Sequence, residues 1–140
     1  MGNKILNAIH ERFESEPYGN KLGIRLSKLD YGHSVAEMTV TKEMGNMFGT
    51  AHGGAIFSLA DEALAAASNS HGTISVALGM NISYVKPASI GDILYAEARE
   101  TSKTRIIGSY DIKVTNNRGE LIATCQGTVY RKEEILPFLE

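Results

Sequence analysis

The sequence predicts an α+β domain in which one antiparallel sheet wraps a long apolar helix. Two observations carry this prediction. Residues 55–67 are rich in Ala, Leu, Ile and Phe and contain neither Pro nor Gly, which favours a helix that is apolar on nearly every side and therefore buried. Six further segments have the alternating or continuously apolar pattern of strands and are separated by turn residues. At 140 residues, the chain is expected to form a single domain, 1–140.

The elements before the apolar helix are predicted to be a short helix and a strand pair. Residues 3–15 form an amphipathic helix, and the Pro-Tyr-Gly-Asn sequence at 17–20 ends it. Its apolar face consists of Ile5, Leu6, Ile9 and Phe13. Residues 22–32 and 33–41 alternate apolar and polar positions around an Asp-Tyr-Gly turn, which predicts two paired strands. A loop at 42–52 then leads into the apolar helix.

Everything after Gly72 is predicted to be sheet. Residues 74–85 are almost continuously apolar, so we expect this strand to lie centrally in the sheet. Three alternating strands follow, at 92–102, 105–115 and 121–132. The Asn-Asn-Arg-Gly sequence at 116–119 predicts a hairpin. Such a sheet has an open edge, which favours an oligomer.

Composition excludes several classes of protein. The formal net charge is −2 and the basic residues are scattered, so no nucleic acid partner is expected. Cys125 is the only cysteine, which excludes an intrachain disulfide and a zinc site made of cysteines, and the histidines lack ligand spacing. No apolar run is long enough to span a bilayer and the N-terminus has no signal-like pattern. We therefore expect a cytoplasmic protein with no metal and no membrane partner.

Two neighbouring carboxylates, Asp61 and Glu62, lie within the apolar helix. Successive helical residues diverge by about 100°, so these two cannot share one narrow solvent-exposed face. The helical neighbours of Asp61 are mostly apolar: Phe57, Ser58, Leu64 and Ala65. Burial there should raise the pKa of Asp61. Asp61 is therefore either a solvated surface carboxylate or a base or nucleophile.

A His-Gly-Gly sequence, residues 52–54, stands at the expected start of this helix. Glycines let the backbone approach a ligand closely, and the free N–H groups of a helix start attract negative charge. The turn could therefore hold an oxyanion or a phosphate. The alternative is a flexible junction in which His52 is a half-buried turn residue, and two glycines alone do not exclude it.

Gly53 and Asp61 cannot act on one carbonyl group from the same chain. They are eight residues apart on one helix, which is about 12 Å along its axis. An oxyanion donor and a base must each lie within about 3 Å of the reacting group. Two antiparallel copies of the helix across a two-fold axis would bring Gly53 of one beside Asp61 of the other. If both residues are catalytic, the sites are composite and lie at a dimer interface.

A longer pattern, N-x-x-G-x-x-H-G-G-x-x-x-x-L-x-D, contains both features. It is formed here by Asn46, Gly49, His52, Gly53, Gly54, Leu59 and Asp61, and M-N-I-S-Y-V-K-P-A-x-x-G-D follows at 80–92. With these motifs the chain, from about residue 20 to 132, resembles the hotdog-fold acyl-CoA thioesterases, most closely those of the phenylacetic-acid-degradation (PaaI-like) type. The resemblance implies a hotdog fold, a curved sheet of five to six strands around the central helix, in homodimers that pair into homotetramers. It also implies a hydrolase that splits acyl-CoA into free acid and CoA without a cofactor, since coenzyme A is part of the substrate.

The resemblance also implies roles for single residues. The N–H of Gly53 would polarise the thioester carbonyl, and Asp61 of the partner chain would act as general base for water or as nucleophile. His52 and Asn46 match positions that orient the thioester or the water in relatives. Some relatives carry a Ser or Thr that assists the water at the position of Ala77. Either Ser75 takes this role here or the hydroxyl is absent, and we favour its absence.

The acyl group cannot be identified from the sequence. Its pocket is expected between the central helix and the partner's strands, lined by generic apolar residues: Met47, Phe48, Phe57, Met80 and Tyr84. Gly54 is also expected to bind substrate. Two alternatives to a thioesterase remain. One is a hotdog hydratase or dehydratase, whose His and acidic residue are placed differently, and the other is a non-catalytic acyl-CoA-binding module.

Overall fold

The computed structural model of the chain describes residues 2–139, which form one six-stranded sheet around a central helix. The helices are α1 (Gly2–Glu14), α2 (Pro17–Lys21) and α3 (Gly53–Asn69). The strands are β1 (Arg25–Asp30), β2 (His33–Thr39), β3 (Thr73–Tyr84), β4 (Ile93–Lys103), β5 (Ile107–Asn116) and β6 (Leu121–Ile135). All pairs are antiparallel in the order β1-β2-β4-β5-β6-β3, which confirms the predicted hotdog architecture. No helix in the described range is long and apolar enough to cross a membrane.

Helix α3 packs into the concave face of the sheet. Its apolar stripe is buried against the inward-facing residues of the strands, as predicted, and consists of Ile56, Leu59, Ala60, Ala63, Leu64 and Ala67. The helix approaches β6 closely because Gly127 has no side chain: a Cβ there would lie 2.9 Å from Leu64 Cδ2. This packing fixes the rotation of α3, and with it the direction of the two carboxylates.

The N-terminal segment is anchored on α3. Helix α1 ends before Pro17, as predicted, but the chain continues as the short helix α2 rather than as a simple turn. Pro17 stands in the first turn of α2, where its missing N–H costs nothing. The Nδ2 atom of Asn20 donates to the carbonyl groups of Glu14 and Glu16, at 2.7 and 2.8 Å, and so joins the two helices. The hydroxyls of Tyr18 and Ser58 are hydrogen-bonded at 3.0 Å, which holds α2 against α3.

Strand β3 is at the edge of the sheet, so the prediction that it lies centrally is wrong for the single chain. It pairs only with β6, and its other edge is open among the described residues. Apolar side chains on this strand remain uncovered, with Val76 42% and Leu78 60% exposed. A continuously apolar strand is expected where both faces are covered. Here no other part of the described chain provides that cover.

Candidate active site

The first turn of α3 leaves one backbone N–H without a partner. His52 is the N-cap residue, and its Nδ1 atom accepts from the N–H of Gly54 at 2.8 Å. The carbonyl group of His52 accepts from the N–H groups of Ala55 and Ile56, at 3.0 and 3.3 Å. Among the described residues nothing accepts from the N–H of Gly53. This N–H stands at the positive end of the helix and is available to a ligand oxygen.

The two glycines of the turn are required by space rather than by backbone conformation, because neither has a positive φ. A Cβ at Gly54 would lie 3.0 Å from Nδ1 of His52 and would disturb the N-cap hydrogen bond. A Cβ at Gly53 would lie 3.2 Å from Cζ and Oη of Tyr84. The sequence His-Gly-Gly therefore permits a close contact on each side of the helix start.

Asn46 shapes the loop that precedes the helix. Its Oδ1 atom accepts from the N–H groups of Phe48 and Thr50, at 2.9 and 3.1 Å. Its Nδ2 atom donates to Oγ1 of Thr50 at 3.0 Å and to the carbonyl of Ala51 at 3.4 Å. The side chain predicted to orient the thioester or the water is thus occupied in folding residues 46–51.

An open cavity of about 390 Å³ lies beside the free N–H. Its wall includes four of the residues predicted from the sequence or from the resemblance: Asn46, Phe48, Gly53 and Tyr84. Lys86 adds a cation to this wall and is ion-paired with Glu120. Met47 projects from the same loop and is 90% exposed. The N-terminal end of α3 therefore opens on a space large enough for part of a ligand.

Asp61 lies outside this cavity, two turns further along α3. It is half-buried, on the helix face that it shares with Phe57, Ser58 and Ala65. Burial raises the pKa of Asp61, and the negative charge of Glu16 raises it further. The direction of the shift agrees with the expectation from the sequence and brings the carboxylate closer to the range of a useful base.

Ser75 is not near Gly53 or Asn46. It is buried, and its hydroxyl donates to the carbonyl of Ser68 at 3.1 Å, at the C-terminal end of α3. Its N–H donates to Oδ1 of Asn69 at 2.9 Å. These contacts tie β3 to the end of the helix. Ala77 is exposed on the same strand, and Met80 is partly buried against the core.

A further pair of carboxyl groups, Glu16 and Glu62, lies near Asp61, and no local sequence pattern predicts it. Glu62 is only 8% exposed, and its carboxyl group lies beside that of Glu16 on the N-terminal segment. Burial, followed by the interaction with Glu16, raises the pKa of Glu62 to about 8. Gly19 makes the contact possible, since a Cβ there would lie 2.8 Å from Oε2 of Glu62 and 2.9 Å from Oε1 of Glu16. The more deeply buried carboxylate of the helix is thus Glu62, and Asp61 remains partly accessible.

The sequence model of the thioesterase superfamily matches residues 48–123, more than half of the chain. The chain is 36% identical to the acyl-coenzyme A thioesterase PaaI of Escherichia coli over 131 residues, 94% of each protein. The solved structure of the E. coli PaaI protein from the phenylacetic acid degradation operon covers 96% of this chain and 97% of its own, with a TM-score of 0.91 and 34% identity. The protein smu.793 of Streptococcus mutans, solved bound to acetyl CoA, has a TM-score of 0.78 and 28% identity, over 81% of this chain and 92% of its own.

Proposed function

This chain belongs to the thioesterase superfamily, and we propose that it hydrolyses acyl-CoA thioesters to a free acid and CoA. The observation that carries the proposal is the unpartnered N–H of Gly53 at the start of α3, on the helix that also holds Asp61. A donor of this kind suits the oxygen of a thioester carbonyl, which gains negative charge when the carbonyl is attacked. Both residues lie in the region that the family model matches.

In the proposed reaction the thioester oxygen accepts from the N–H of Gly53. Asp61 takes a proton from a water molecule as the oxygen of that water bonds to the carbonyl carbon. The carbon–sulfur bond then breaks, and the sulfur leaves as the thiolate of CoA, which is protonated. Alternatively, Asp61 attacks the carbonyl itself and water opens the resulting anhydride. A single turnover in ¹⁸O water separates the two roles, because only the nucleophilic route places the label in Asp61.

His52 and Asn46 support the donor in this proposal. Since Nδ1 of His52 accepts from Gly54, its ring proton lies on Nε2, which can donate to the substrate or to water. Asn46 acts by holding the loop that carries Phe48 and leads to His52. The proposed reaction requires no metal and no cofactor other than the CoA of the substrate.

The proposed active unit is a homodimer, because Gly53 and Asp61 are too far apart on α3 to serve one carbonyl. Apolar side chains are exposed along β3, just after it and on the loop before α3: Met47, Phe48, Val76, Leu78, Tyr84 and Val85. A second copy placed antiparallel along the open edge of β3 would continue the sheet and cover them. Pairing of two dimers into a homotetramer is a further part of the proposal.

The acyl group is proposed to lie between α3 and the partner's β3. Phe48 and Tyr84 line the cavity and suit its hydrocarbon part, and Met47 is exposed on the same loop. The partly buried Phe57 and Met80 complete the proposed pocket. Gly54 leaves room at the helix start. These residues are compatible with an aromatic or a medium-length acyl chain.

A thiol-release screen over short, long and aromatic acyl-CoAs tests the proposal. We expect turnover with at least one class, and we expect Asp61→Asn to lower kcat by about 10²-fold or more while the fold and the oligomer persist. Asp111→Asn is a matched control, since Asp111 is exposed on β5. Because the pKa of Asp61 is raised, kcat/KM should rise with pH through an acidic limb that Asp61→Asn lacks.

Two outcomes would favour the other functions. Hydration of crotonyl-CoA without thiol release would identify a hydratase. Saturable binding of several acyl-CoAs with no thiol release would identify a binding module. Full thiol release by Asp61→Asn would overturn the mechanism.

A further inference from the structure

Tyr84, at the end of β3, contacts the start of α3. Its hydroxyl donates to the carbonyl group of Gly53 at 2.9 Å. Its ring stands against the Cα atom of Gly53, so closely that a Cβ there would meet both Cζ and Oη at 3.2 Å. From the sequence, Tyr84 was predicted only as a generic apolar residue of the acyl pocket. In the structure its hydroxyl has a specific partner, the carbonyl group of Gly53.

The peptide group between Gly53 and Gly54 is held at both of its polar ends. Tyr84 donates to its carbonyl oxygen, and Nδ1 of His52 accepts from its N–H at 2.8 Å. Glycine tolerates a wide range of φ and ψ, so a Gly-Gly sequence at a helix start is loosely defined unless other groups hold it. Two hydrogen bonds on one planar peptide define its orientation.

We propose that Tyr84 is a positioning residue for the hydrolysis proposed above: together with His52 it clamps the Gly53–Gly54 peptide. The free N–H of Gly53 belongs to the preceding peptide, whose His52 carbonyl accepts from Ala55 and Ile56. With the peptides on both sides of Gly53 held, rotation about its backbone bonds can no longer turn this N–H away from a substrate. The inference rests on the proposed function, in which a thioester oxygen accepts a hydrogen bond from this N–H. Tyr84 and Gly53 line the same cavity, so the clamp lies where the substrate would be seated.

The phenol is suited to a permanent donor role. Burial raises the pKa of Tyr84, and the neighbouring Cys125 adds to the shift. The hydroxyl therefore keeps its proton throughout the neutral range and continues to donate to Gly53. A donor fixed before the substrate arrives stabilises the charge that develops during the reaction more than it stabilises bound substrate.

Tyr84→Phe tests the clamp, because it removes the hydroxyl and keeps the ring. We expect kcat to fall about fivefold, the factor that one net hydrogen bond supplies, with KM nearly unchanged. The exchange rate of the Gly54 amide, measured by NMR on ¹⁵N-labelled protein, should rise by a similar factor. Tyr84→Leu, which also removes the ring, should lower kcat further. Tyr95→Phe is the control, since Tyr95 lies on β4 and makes no side-chain hydrogen bond within the described residues.

The two readouts separate this inference from the proposed function. Unchanged exchange of the Gly54 amide in Tyr84→Phe would overturn the clamp, whatever the turnover. A higher KM at unchanged kcat would also overturn it, because that pattern means substrate contact rather than positioning. If the wild-type protein releases no thiol from any acyl-CoA while the amide still exchanges faster in Tyr84→Phe, the clamp stands and the hydrolysis fails.

Discussion

The carboxyl groups of Glu16 and Glu62 lie side by side between the N-terminal segment and α3: Oε1 of Glu16 and Oε2 of Glu62 are 2.9 and 2.8 Å from the position that a Cβ at Gly19 would take. Two neighbouring carboxyl groups can hydrogen-bond to each other only when one of them keeps its proton. Glu62 is 8% exposed, so its ionisation would place a charge in a poorly hydrated site beside another carboxylate. Oε1 of Glu16 is buried and has no hydrogen-bond partner among the described atoms. The attachment of α2 to α3 is therefore coupled to a proton.

This pair predicts that stability decreases as the pH rises. The pKa of Glu62 is raised from 4.5 to about 8 in the folded protein, so the folded state binds more protons than the unfolded state between these values. The contribution is complete below pH 4.5 and is lost progressively up to about pH 8. At pH 8, Glu62→Gln should exceed the wild type by about 1 kcal/mol in free energy of unfolding. Denaturant unfolding at several pH values, at equal protein concentration, measures this difference.

Glu11→Gln is the control for that experiment, because Glu11 is exposed on α1. The free energy of unfolding of Glu11→Gln should depend on pH in the same way as that of the wild type. The same slope of stability against pH in the wild type and in Glu62→Gln would contradict the protonated pair.

Two substitutions at Gly53 distinguish the role of its N–H from that of its missing side chain. Gly53→Pro removes the N–H, which has no partner within the described protein, and proline suits the first position of a helix. His52 already has the extended backbone, with φ −64° and ψ 137°, that a residue before proline requires. Gly53→Ala introduces the same Cβ, 3.2 Å from Tyr84, and keeps the N–H. We expect kcat to fall about 10²- to 10³-fold in Gly53→Pro, and clearly less in Gly53→Ala.

Steady-state thiol release and circular dichroism of both variants measure these effects. Equal losses in the two variants would show that the Cβ is the cause and would remove the N–H from the mechanism. An unfolded Gly53→Pro variant would show that the helix start does not accept proline, and the free amide would then have to be tested by its NMR response to substrate.

Composite sites predict that two inactive variants restore activity to each other. In a mixed dimer of Gly53→Pro and Asp61→Asn, one site combines the intact Gly53 of one chain with the intact Asp61 of the other. The second site carries both defects. Unfolding and refolding an equal mixture should yield half mixed dimers and thus about a quarter of wild-type activity. Thiol release from the refolded mixture measures it, with each variant refolded alone as the control. Activity no greater than the sum of the two variants would place both residues in one chain's site.

The open edge of β3 predicts where the dimer can be disrupted. Leu78 is 60% exposed on this strand, and Leu78→Lys would place a charge in the proposed interface. We expect a monomer by analytical ultracentrifugation and a loss of at least about 10²-fold in thiol release, because each site then lacks one of its two groups. Tyr31→Lys, on the turn between β1 and β2 at the other edge, is the matched control. An active monomeric Leu78→Lys variant would contradict the dimeric site.

The pattern of apolar residues was sufficient for the order of α1, α3 and the six strands and for the burial of α3, because a period of 3.6 or 2 depends only on local sequence. It did not predict α2. The same reasoning placed β3 at the centre of the sheet and was wrong. A strand has apolar residues on both faces whether those faces are covered by its own chain or by a second copy. The sequence therefore cannot distinguish a central strand from an edge strand that pairs with another subunit. The His-Gly-Gly turn and Asp61 were found from their residue types and spacing, and their separation along one helix followed from helix geometry alone.

The sequence by itself determined the fold class, the helix that holds Gly53 and Asp61, and the direction of the shift in the pKa of Asp61. Only the tertiary structure decided which N–H of the first turn stays free, that Ser75 is bound to the end of α3, and that Tyr84 reaches the carbonyl of Gly53. It also brought Glu16 to Glu62. The physical reason is that Tyr84 and Gly53, like Glu16 and Glu62, are far apart in the chain, while the bonds of His52 and Ser75 depend on side-chain geometry that a residue pattern does not specify. The contacts between distant residues depend on how α2, α3 and β3 pack, and a local pattern does not encode that packing.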